Sequence, residues 1–247
     1  MRQRDGGRRR ADERAAGAVI IYGWHSALAA LQNPRRGIRR VVATRNALAR
    51  LQDLGIRHLP EPAEPREIDR LAGDSAVHQG ILVVADMLPE HGVDDLEEAK
   101  LVVVLDQVTD PHNVGAVLRS AAAFGADALI LTERHSPTES GVLAKAASGA
   151  LEHVDIVHAK NLARALDQLG EIGFFRIGLD SECEAPIEAA RRDERIALVL
   201  GAEGKGLRRL TREKCDAIGR LDLPGPIKSL NVSNAAALAL YGVTQRN

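Results

Sequence analysis

The chain has 247 residues, of which 27% are charged and 45% hydrophobic, and its formal net charge is −1. This ordinary composition predicts a soluble globular protein with one large domain or two small ones. Aromatic residues make up only 2% of the chain, so base stacking on aromatic side chains is not expected to dominate any nucleic-acid binding. The two cysteines, Cys183 and Cys215, lie far apart and predict ordinary thiols in a reducing cytosol.

The N-terminal stretch MRQRDGGRRRADER carries six arginines against three acidic residues. It has no apolar periodicity, and residues 1–17 are therefore predicted to form a disordered tail. The tail contributes +3 to the total of −1, so the rest of the chain is near −4 and a polyanion would need local basic patches. An organellar transit peptide is the alternative, although the acids and glycines argue against it. No apolar run reaches membrane-spanning length, and we expect a cytoplasmic protein without a membrane partner.

Alternating patterns over residues 18–87 predict a small N-terminal α/β domain. Strands are predicted at 18–23, 39–44, 56–59 and 79–87, helices at 24–33 and 46–55, and a Pro/Glu-rich link at 60–73. The polar, acidic stretch 88–99 is predicted to be a linker to a second domain.

The second predicted domain covers residues 100–247 and contains near-continuous apolar runs with helical patterns between them. These features predict a parallel sheet covered on both faces. Ligands of such sheets collect at the carboxyl ends of the strands. The predicted strands are 101–106, 128–131, 153–157, 174–179, 196–201 and 220–223.

Three loops at strand ends are rich in Gly, Asn, Ser and charged residues. In the first, TDPHNVGAVLRSA, Asn113 is predicted to be a helix N-cap, and Arg119 lies off the apolar stripe of the helix. The simplest interpretation of Arg119 is a solvent-facing side chain.

The second loop, LVLGAEGKGLRRL, places Glu203 inside a turn with Gly201, Gly204 and Gly206. Glycines permit positive φ and close approach of the backbone to a ligand. The spacing fits neither a phosphate-binding loop nor a dinucleotide fingerprint.

The third loop, LPGPIKSLNVSNAA, precedes a helix of small residues, with Ser229 or Asn231 as the expected cap. No G-x-S-x-G elbow surrounds a serine, which argues against a hydrolase nucleophile.

Together the three loops resemble the signature motifs of the SpoU/TrmH family of RNA ribose 2′-O-methyltransferases. The segments IYGWHSALAAL and VHQGI are similar to the N-terminal domain of the subgroup that methylates 23S ribosomal RNA, so the resemblance spans roughly residues 19–246. It implies a SPOUT fold, that is, an α/β parallel sheet with a C-terminal trefoil knot, a small N-terminal α/β RNA-binding domain, and a homodimer in which two subunits complete each active site.

The resemblance also implies the residues of the site. An S-adenosylmethionine pocket is expected to use Gly201, Leu221, Leu223 and Leu230. The catalytic set is expected to be Arg119, Asn113, Glu203, Ser229 and Asn231.

Methyl transfer requires alignment of donor and acceptor and removal of a weakly acidic proton. No histidine or carboxylate occupies the position of a base, and the resemblance implies that Arg119 lies at the reacting ribose. Either it accepts the 2′-hydroxyl proton after losing its own to a phosphate, or it stays charged and grips the phosphate. Asn113 would position the RNA backbone or Arg119, and Glu203 would hold that arginine and order the glycine turn. Ser229 and Asn231 would orient the ribose, a phosphate or Arg119 through neutral hydrogen bonds.

Several features depart from the family pattern or leave alternatives open. Asp222, Lys228 and Asn234 differ from the residues usual in the family and are expected to affect substrate fit. The histidines share no ligand spacing, so no metal is expected and structural roles are favoured for His25, His78 and His112. Two basic clusters are candidate phosphate contacts, with solvated surface as the alternative: Arg35, Arg36, Arg39, Arg40 and Arg208, Arg209, Arg212.

The expected function is S-adenosylmethionine-dependent methylation of a guanosine ribose in 23S ribosomal RNA. A tRNA ribose methyltransferase of the same superfamily is the nearest alternative. A non-catalytic RNA-binding or ribosome-assembly protein is an alternative of a different class.

Overall fold

The computed structural model describes residues 17–57, 59–73, 76–133, 140–187 and 194–244. Apart from Gly17, the predicted disordered tail 1–17 therefore lies outside the described residues. In chain order the elements are β1 (Ala18–Tyr22), α1 (Trp24–Gln32), β2 (Ile38–Ala43), α2 (Arg45–Asp53), α3 (Pro65–Ala72), β3 (Ile81–Asp86), β4 (Leu101–Asp106), α4 (Pro111–Ala123), β5 (Ala128–Thr132), α5 (Gly141–Ala147), β6 (Asp155–Ala159), α6 (Leu162–Glu171), β7 (Phe175–Leu179), β8 (Ile196–Gly201), α7 (Arg209–Glu213), β9 (Ala217–Gly219) and α8 (Val232–Thr244), with 3-10 turns at Val93–Leu96 and Ala150–Glu152.

The chain divides into two units. The first consists of Met1–Pro89 with Thr138–Glu152, and the second of Glu90–Pro137 with His153–Asn247. The domain boundaries expected from the sequence, 18–87 and 100–247, stay predictions. Segment 88–99, expected to be a linker, includes the 3-10 turn Val93–Leu96, whose apolar side chains join the core of the second unit.

The first unit is built on an antiparallel sheet with strand order β1-β3-β2. Alternate residues of these strands, such as Ile20 and its partner Val84, bury one face against Ile68 and Leu71 of α3. Glu152 connects the two chain segments of this unit. Its carboxylate accepts hydrogen bonds from Arg36 Nη2 at 2.7 Å and from Asn33 Nδ2 at 2.7 Å.

Two predictions for the first unit were wrong. The described residues of 56–59 form no strand, because the Ile56 amide donates to Leu51 O and closes the end of α2. The Pro/Glu-rich segment 60–73 contains helix α3, not only a link. Pro65 suits the first helical turn, and Ile68 and Leu71 supply a buried apolar face that outweighs the polar composition.

The second unit contains a six-stranded parallel sheet with strand order β6-β5-β4-β8-β7-β9. Strands β4 and β8 are adjacent at its centre, and their interior residues are almost fully buried. The edge strand β9 covers Ala217–Gly219, so the strand expected at 220–223 was placed three residues too late. This sheet confirms the predicted α/β class and places the ends of β4 and β8 side by side.

Both cysteines are thiols, as expected. Burial raises the pKa of Cys215 to about 12. Within the described ranges, no helix has the length and apolar character needed to cross a membrane.

Candidate active site

The first and second of the three motif loops follow adjacent strands, β4 and β8. Asp106 ends β4 and pairs in register with Gly201, which ends β8. The loop that leads to Asn113 and the glycine turn that carries Glu203 therefore begin side by side at the carboxyl edge of the sheet.

A hydrogen-bonded cluster joins all three motif loops. The side-chain amide of Asn231 donates to Asn113 Oδ1 at 3.1 Å and to Glu203 Oε2 at 3.4 Å. Its other side-chain atom, Oδ1, accepts from Ser233 N at 2.9 Å and from Ser233 Oγ at 2.6 Å. Because those two groups donate to Oδ1, the Asn231 NH₂ group is directed to Asn113 and Glu203.

The same contacts explain how the two helices of the site begin. Asn231 supplies the cap of α8, which is one of the two caps predicted. For α4 the prediction of Asn113 as N-cap was wrong, since Asp110 takes that position and accepts from His112 N at 3.1 Å. With Asp110 as the cap, the Asn113 side chain is available to Asn231.

A cavity of about 520 Å³ lies beside this cluster. Its lining includes every residue expected to hold the cofactor and two expected to be catalytic: Gly201, Leu221, Leu223, Leu230, Glu203 and Ser229. Lys228, one of the departures from the family pattern, also lines it, and its Nζ donates to Leu223 O at 2.6 Å.

The glycine turn after β8 has no room for side chains at its base. A Cβ on Gly201 would lie 2.1 Å from the carbonyl carbon of Gly206, which has a φ of +63°. The turn closes on itself, with the Gly206 amide donating to Ala202 O at 2.9 Å. This packing sets the position of Glu203 within the turn.

Arg119 is exposed on α4, while Val114, Val117 and Leu118 of the same helix are fully buried. Its guanidinium has no hydrogen-bond or ion-pair partner among the described residues. The structure thus joins Asn113, Glu203 and Asn231 directly and places Ser229 in the same cavity as Glu203. Arg119 is the one member of the expected catalytic set that shares neither the cluster nor the cavity lining.

A second, wider groove of about 1440 Å³ meets the cavity at the glycine turn after β8. Ala202, Glu203 and Lys205 line both spaces. The groove also carries Lys160, and neither its Nζ nor that of Lys205 has a hydrogen-bond or ion-pair partner in the described part of the chain.

Most of the arginines expected to contact phosphate have carboxylate partners. The prediction for Arg36 was wrong, because its side chain is buried against Glu152. Exposed ion pairs join Arg39 to Asp86 and Arg40 to Glu67. In the second cluster the ion pairs are Arg208–Asp106, Arg209–Glu213 and Arg212–Asp180.

Histidines and acids form no metal site that the structure reveals. No group of three or more His, Cys, Asp or Glu side chains that could hold a metal occurs among the described residues. His78 has a structural contact instead, since its Nε2 lies 3.0 Å from Asp69 Oδ1 and its Nδ1 accepts from the Gly80 amide.

Comparisons with known proteins agree with this arrangement. The model of the SpoU rRNA Methylase family matches residues 100–241, and the model described as RNA 2′-O ribose methyltransferase substrate binding matches residues 20–91. The chain belongs to the SpoU rRNA methylase family. The resemblance inferred from the three motifs is thereby confirmed, and the chain is an RNA 2′-O-ribose methyltransferase.

Individual relatives of this SpoU-family chain cover nearly its whole length. It is 38% identical over 242 residues to the 23S rRNA (guanosine-2′-O-)-methyltransferase RlmB of Ralstonia nicotianae, covering 92% of this chain and 96% of the relative. The corresponding protein of Pseudomonas putida is 38% identical over 240 residues, with 92% and 96% covered. The SpoU methyltransferase AviRb of Streptomyces viridochromogenes, solved with AdoMet, is 22% identical, with a TM-score of 0.76 over 93% of this chain and 90% of AviRb.

Sequence reasoning missed one buried charged contact of this SpoU-family site. Asp106, which is fully buried, accepts hydrogen bonds from Arg208. An acid at the end of the apolar run LVVVLD was a signal, but nothing local pairs it with an arginine 102 residues away.

Proposed function

We propose that this enzyme transfers the methyl group of S-adenosylmethionine to the ribose 2′-hydroxyl of a guanosine in 23S ribosomal RNA. The observation that carries the proposal is the cluster of Asn113, Glu203 and Asn231, in which Glu203 lines both a small cavity and a wide groove. A transferase for two substrates needs two such adjoining spaces. The 38% identity to the RlmB proteins, over 92% of this chain, supports 23S ribosomal RNA as the substrate.

The cavity suits the methyl donor. Its volume of about 520 Å³ falls within the range of about 300–1,000 Å³ typical of small-molecule sites. Leu221, Leu223 and Leu230 would contact the apolar parts of the donor, and the backbone near Gly201 would supply its hydrogen bonds. When bound, S-adenosylmethionine supplies a methyl group activated by a sulfonium.

The groove suits the acceptor RNA, because about 1440 Å³ exceeds the needs of a single small molecule. Lys160 and Lys205 would hold phosphates of the strand, since both lack a carboxylate partner in the described chain. Glu203 would then lie where the acceptor approaches the donor, within reach of the Asn231 amide.

Arg119 would act at the acceptor ribose. Its exposed guanidinium has no described partner, so all its donors can bind RNA. Either it stays charged, grips a phosphate and favours ionisation of the 2′-hydroxyl, or it loses a proton to the phosphate and then accepts the hydroxyl proton. Asn113, Asn231 and Ser229 would align the reacting groups, and alignment alone can lower a barrier by about 7–11 kcal/mol in favourable cases.

The active form would be a homodimer in which a second copy adds its residues to the site. Leu238 and Tyr241 expose apolar surface on α8, with 48% and 55% of their areas accessible. Helix α8 packs against α4, the helix of Arg119, and Phe124 meets Tyr241 edge-on. A second copy seated on this face would cover the apolar side chains and bring its own polar groups to Arg119.

The segment between β9 and α8 would form the trefoil knot. Strand β9 is at the sheet edge, whereas α8 lies against β8 near the centre, so the chain must return across the sheet. Residues 220–231 would connect β9 to α8 and pass beside the glycine turn after β8. The first unit would hold the substrate RNA, in agreement with the family model matched there, and ribosomal RNA as substrate implies a cytoplasmic enzyme.

Labelled methyl transfer tests this proposal. The purified protein should transfer methyl groups from S-adenosylmethionine to ribosomal RNA from cells that lack it, and not to tRNA from the same cells. Transfer to tRNA alone would favour the tRNA methyltransferase alternative. Absence of S-adenosylmethionine binding by calorimetry would favour a non-catalytic RNA-binding protein.

A further inference from the structure

Asp106 and Arg208 make a two-point contact at the base of the site. Asp106 is fully buried at the end of β4. Its Oδ2 accepts from the Arg208 backbone amide at 3.0 Å, and its Oδ1 accepts from Arg208 Nε at 2.6 Å. Both carboxylate oxygens are therefore occupied by the same residue, through its backbone and its side chain.

This contact fixes one end of the glycine turn. The other end is held by the sheet, because Gly201 pairs in register with Asp106 itself. The turn that carries Glu203 thus starts and finishes against a single residue of β4. Leu207, directly before Arg208, is also buried in the core of the unit.

The same aspartate precedes the first motif loop. Asn113 follows it on α4 and meets Glu203 through the Asn231 amide. Any shift of Arg208 away from Asp106 would move the turn and change the distance between Glu203 and Asn231. A buried carboxylate tolerates such a shift poorly, since loss of its donors leaves a charge without compensation.

We propose that Asp106 and Arg208 form a positioning pair that sets the geometry of Glu203 relative to Asn113 and Asn231. This inference rests on the proposed methyl transfer. It assigns Arg208 a role through Glu203 and not as a phosphate contact, although the Arg208 side chain is 47% exposed and lines the groove.

The test compares Asp106→Asn with Arg208→Gln and Arg208→Lys. Asp106 is fully buried and cannot touch RNA, so an effect of Asp106→Asn on catalysis must act through other residues. All three variants should lower kcat at least tenfold, with KM for RNA and Kd for S-adenosylmethionine within threefold of wild type. Arg208 is half exposed, so its variants are expected to fold even if Asp106→Asn does not.

Asp216→Asn is the matched control. It also removes an acid paired with an arginine, Arg176, but outside the motif loops. Its melting temperature should fall, while kcat, measured well below the melting temperature of each variant, should stay within twofold of wild type.

Two outcomes would overturn the proposal. In the first, Arg208→Gln raises KM for RNA while Asp106→Asn leaves both constants unchanged, which would make Arg208 an RNA contact. In the second, the Arg208 variants keep the wild-type kcat. An inactive wild-type protein would instead refute the proposed methyl transfer, so the two failures are distinguishable.

Discussion

The side-chain amide of Asn231 donates a hydrogen bond to the side-chain oxygen of Asn113, although 118 residues separate them in the chain. The same amide reaches Glu203, while its oxygen caps α8 through Ser233. One side chain therefore joins three loops and starts a helix. These two tasks use different atoms, so they can be separated by mutation.

Asn231→Asp should keep the cap and lose the cluster. Its carboxylate can still accept from the Ser233 amide, but it has no N–H groups for Asn113 and would face the Glu203 carboxylate. We expect kcat to fall at least about tenfold, equivalent to about 1.4 kcal/mol, with little change in melting temperature. Asn231→Ala should lose the cap as well, at a cost of about 0.5–2 kcal/mol in stability. Equal activity of Asn231→Asp and wild type would show that the donated hydrogen bonds do not matter.

Gly201→Ala should impair binding of the methyl donor. The new methyl group would lie 2.1 Å from the carbonyl carbon of Gly206, so the glycine turn after β8 must move. We expect Kd for S-adenosylmethionine, measured by calorimetry, to rise at least about tenfold. Gly225→Ala is the control, because a Cβ there meets no atom within 4 Å, and its Kd should stay within threefold of wild type. Unchanged binding by Gly201→Ala would contradict the cavity assignment.

Lys160→Gln and Lys205→Gln should each weaken RNA binding and its salt dependence. Each lysine that holds a phosphate of a single strand contributes about 0.7 to the slope of log K against log salt. Titration of ribosomal RNA fragments at several salt concentrations measures that slope. Lys214→Gln is the control, since Lys214 is already paired with Asp167 at 2.8 Å, and it should leave the slope unchanged. Identical slopes for all three variants would show that Lys160 and Lys205 do not contact RNA phosphates.

Acid stability should depend on Asp216. Hydrogen bonds from Arg176 lower the pKa of its carboxyl below the usual value, against the opposing effect of burial. The folded protein therefore takes up this proton at lower pH than the unfolded chain does. The stabilisation is complete above the unfolded-state pKa of about 3.9 and is lost as the pH falls through the folded value.

Denaturant unfolding of wild type and Asp216→Asn checks this dependence. The difference in unfolding free energy between the two should be largest near neutral pH and should shrink below about pH 4. A difference that stays constant down to the acid transition would show that the Asp216 carboxyl gains nothing from Arg176.

The parallel sheet could be predicted because its strands are apolar runs that neighbouring layers bury completely. The rule that ligands collect at the carboxyl ends of such strands then brought Gly201, Glu203, Ser229 and Asn231 into one region. Helix α3 was missed because local composition, rich in proline and glutamate, conceals the two apolar residues that anchor it.

Long-range charge pairing was beyond sequence reasoning. Arg36 belongs to an arginine cluster whose sequence predicts a basic surface. Its side chain is instead buried and paired with Glu152, 116 residues later in the chain. Arg208 likewise reads as a phosphate contact until Asp106 is placed beside it. Competition between neighbouring caps caused the error at Asn113, because Asp110 and Asn113 are both suitable cap residues and only the fold decides between them.

The three motif loops would together form one site for methyl transfer to a ribose oxygen. Mass spectrometry of nucleosides from 23S ribosomal RNA incubated with the protein and S-adenosylmethionine can detect this reaction. We predict one new 2′-O-methylguanosine with the wild-type protein and none with Arg119→Ala, although that variant still binds the donor. A methyl group on a base would rule out ribose methylation as the reaction, and ribose methylation at the wild-type rate by Arg119→Ala would rule out Arg119 as a catalytic residue.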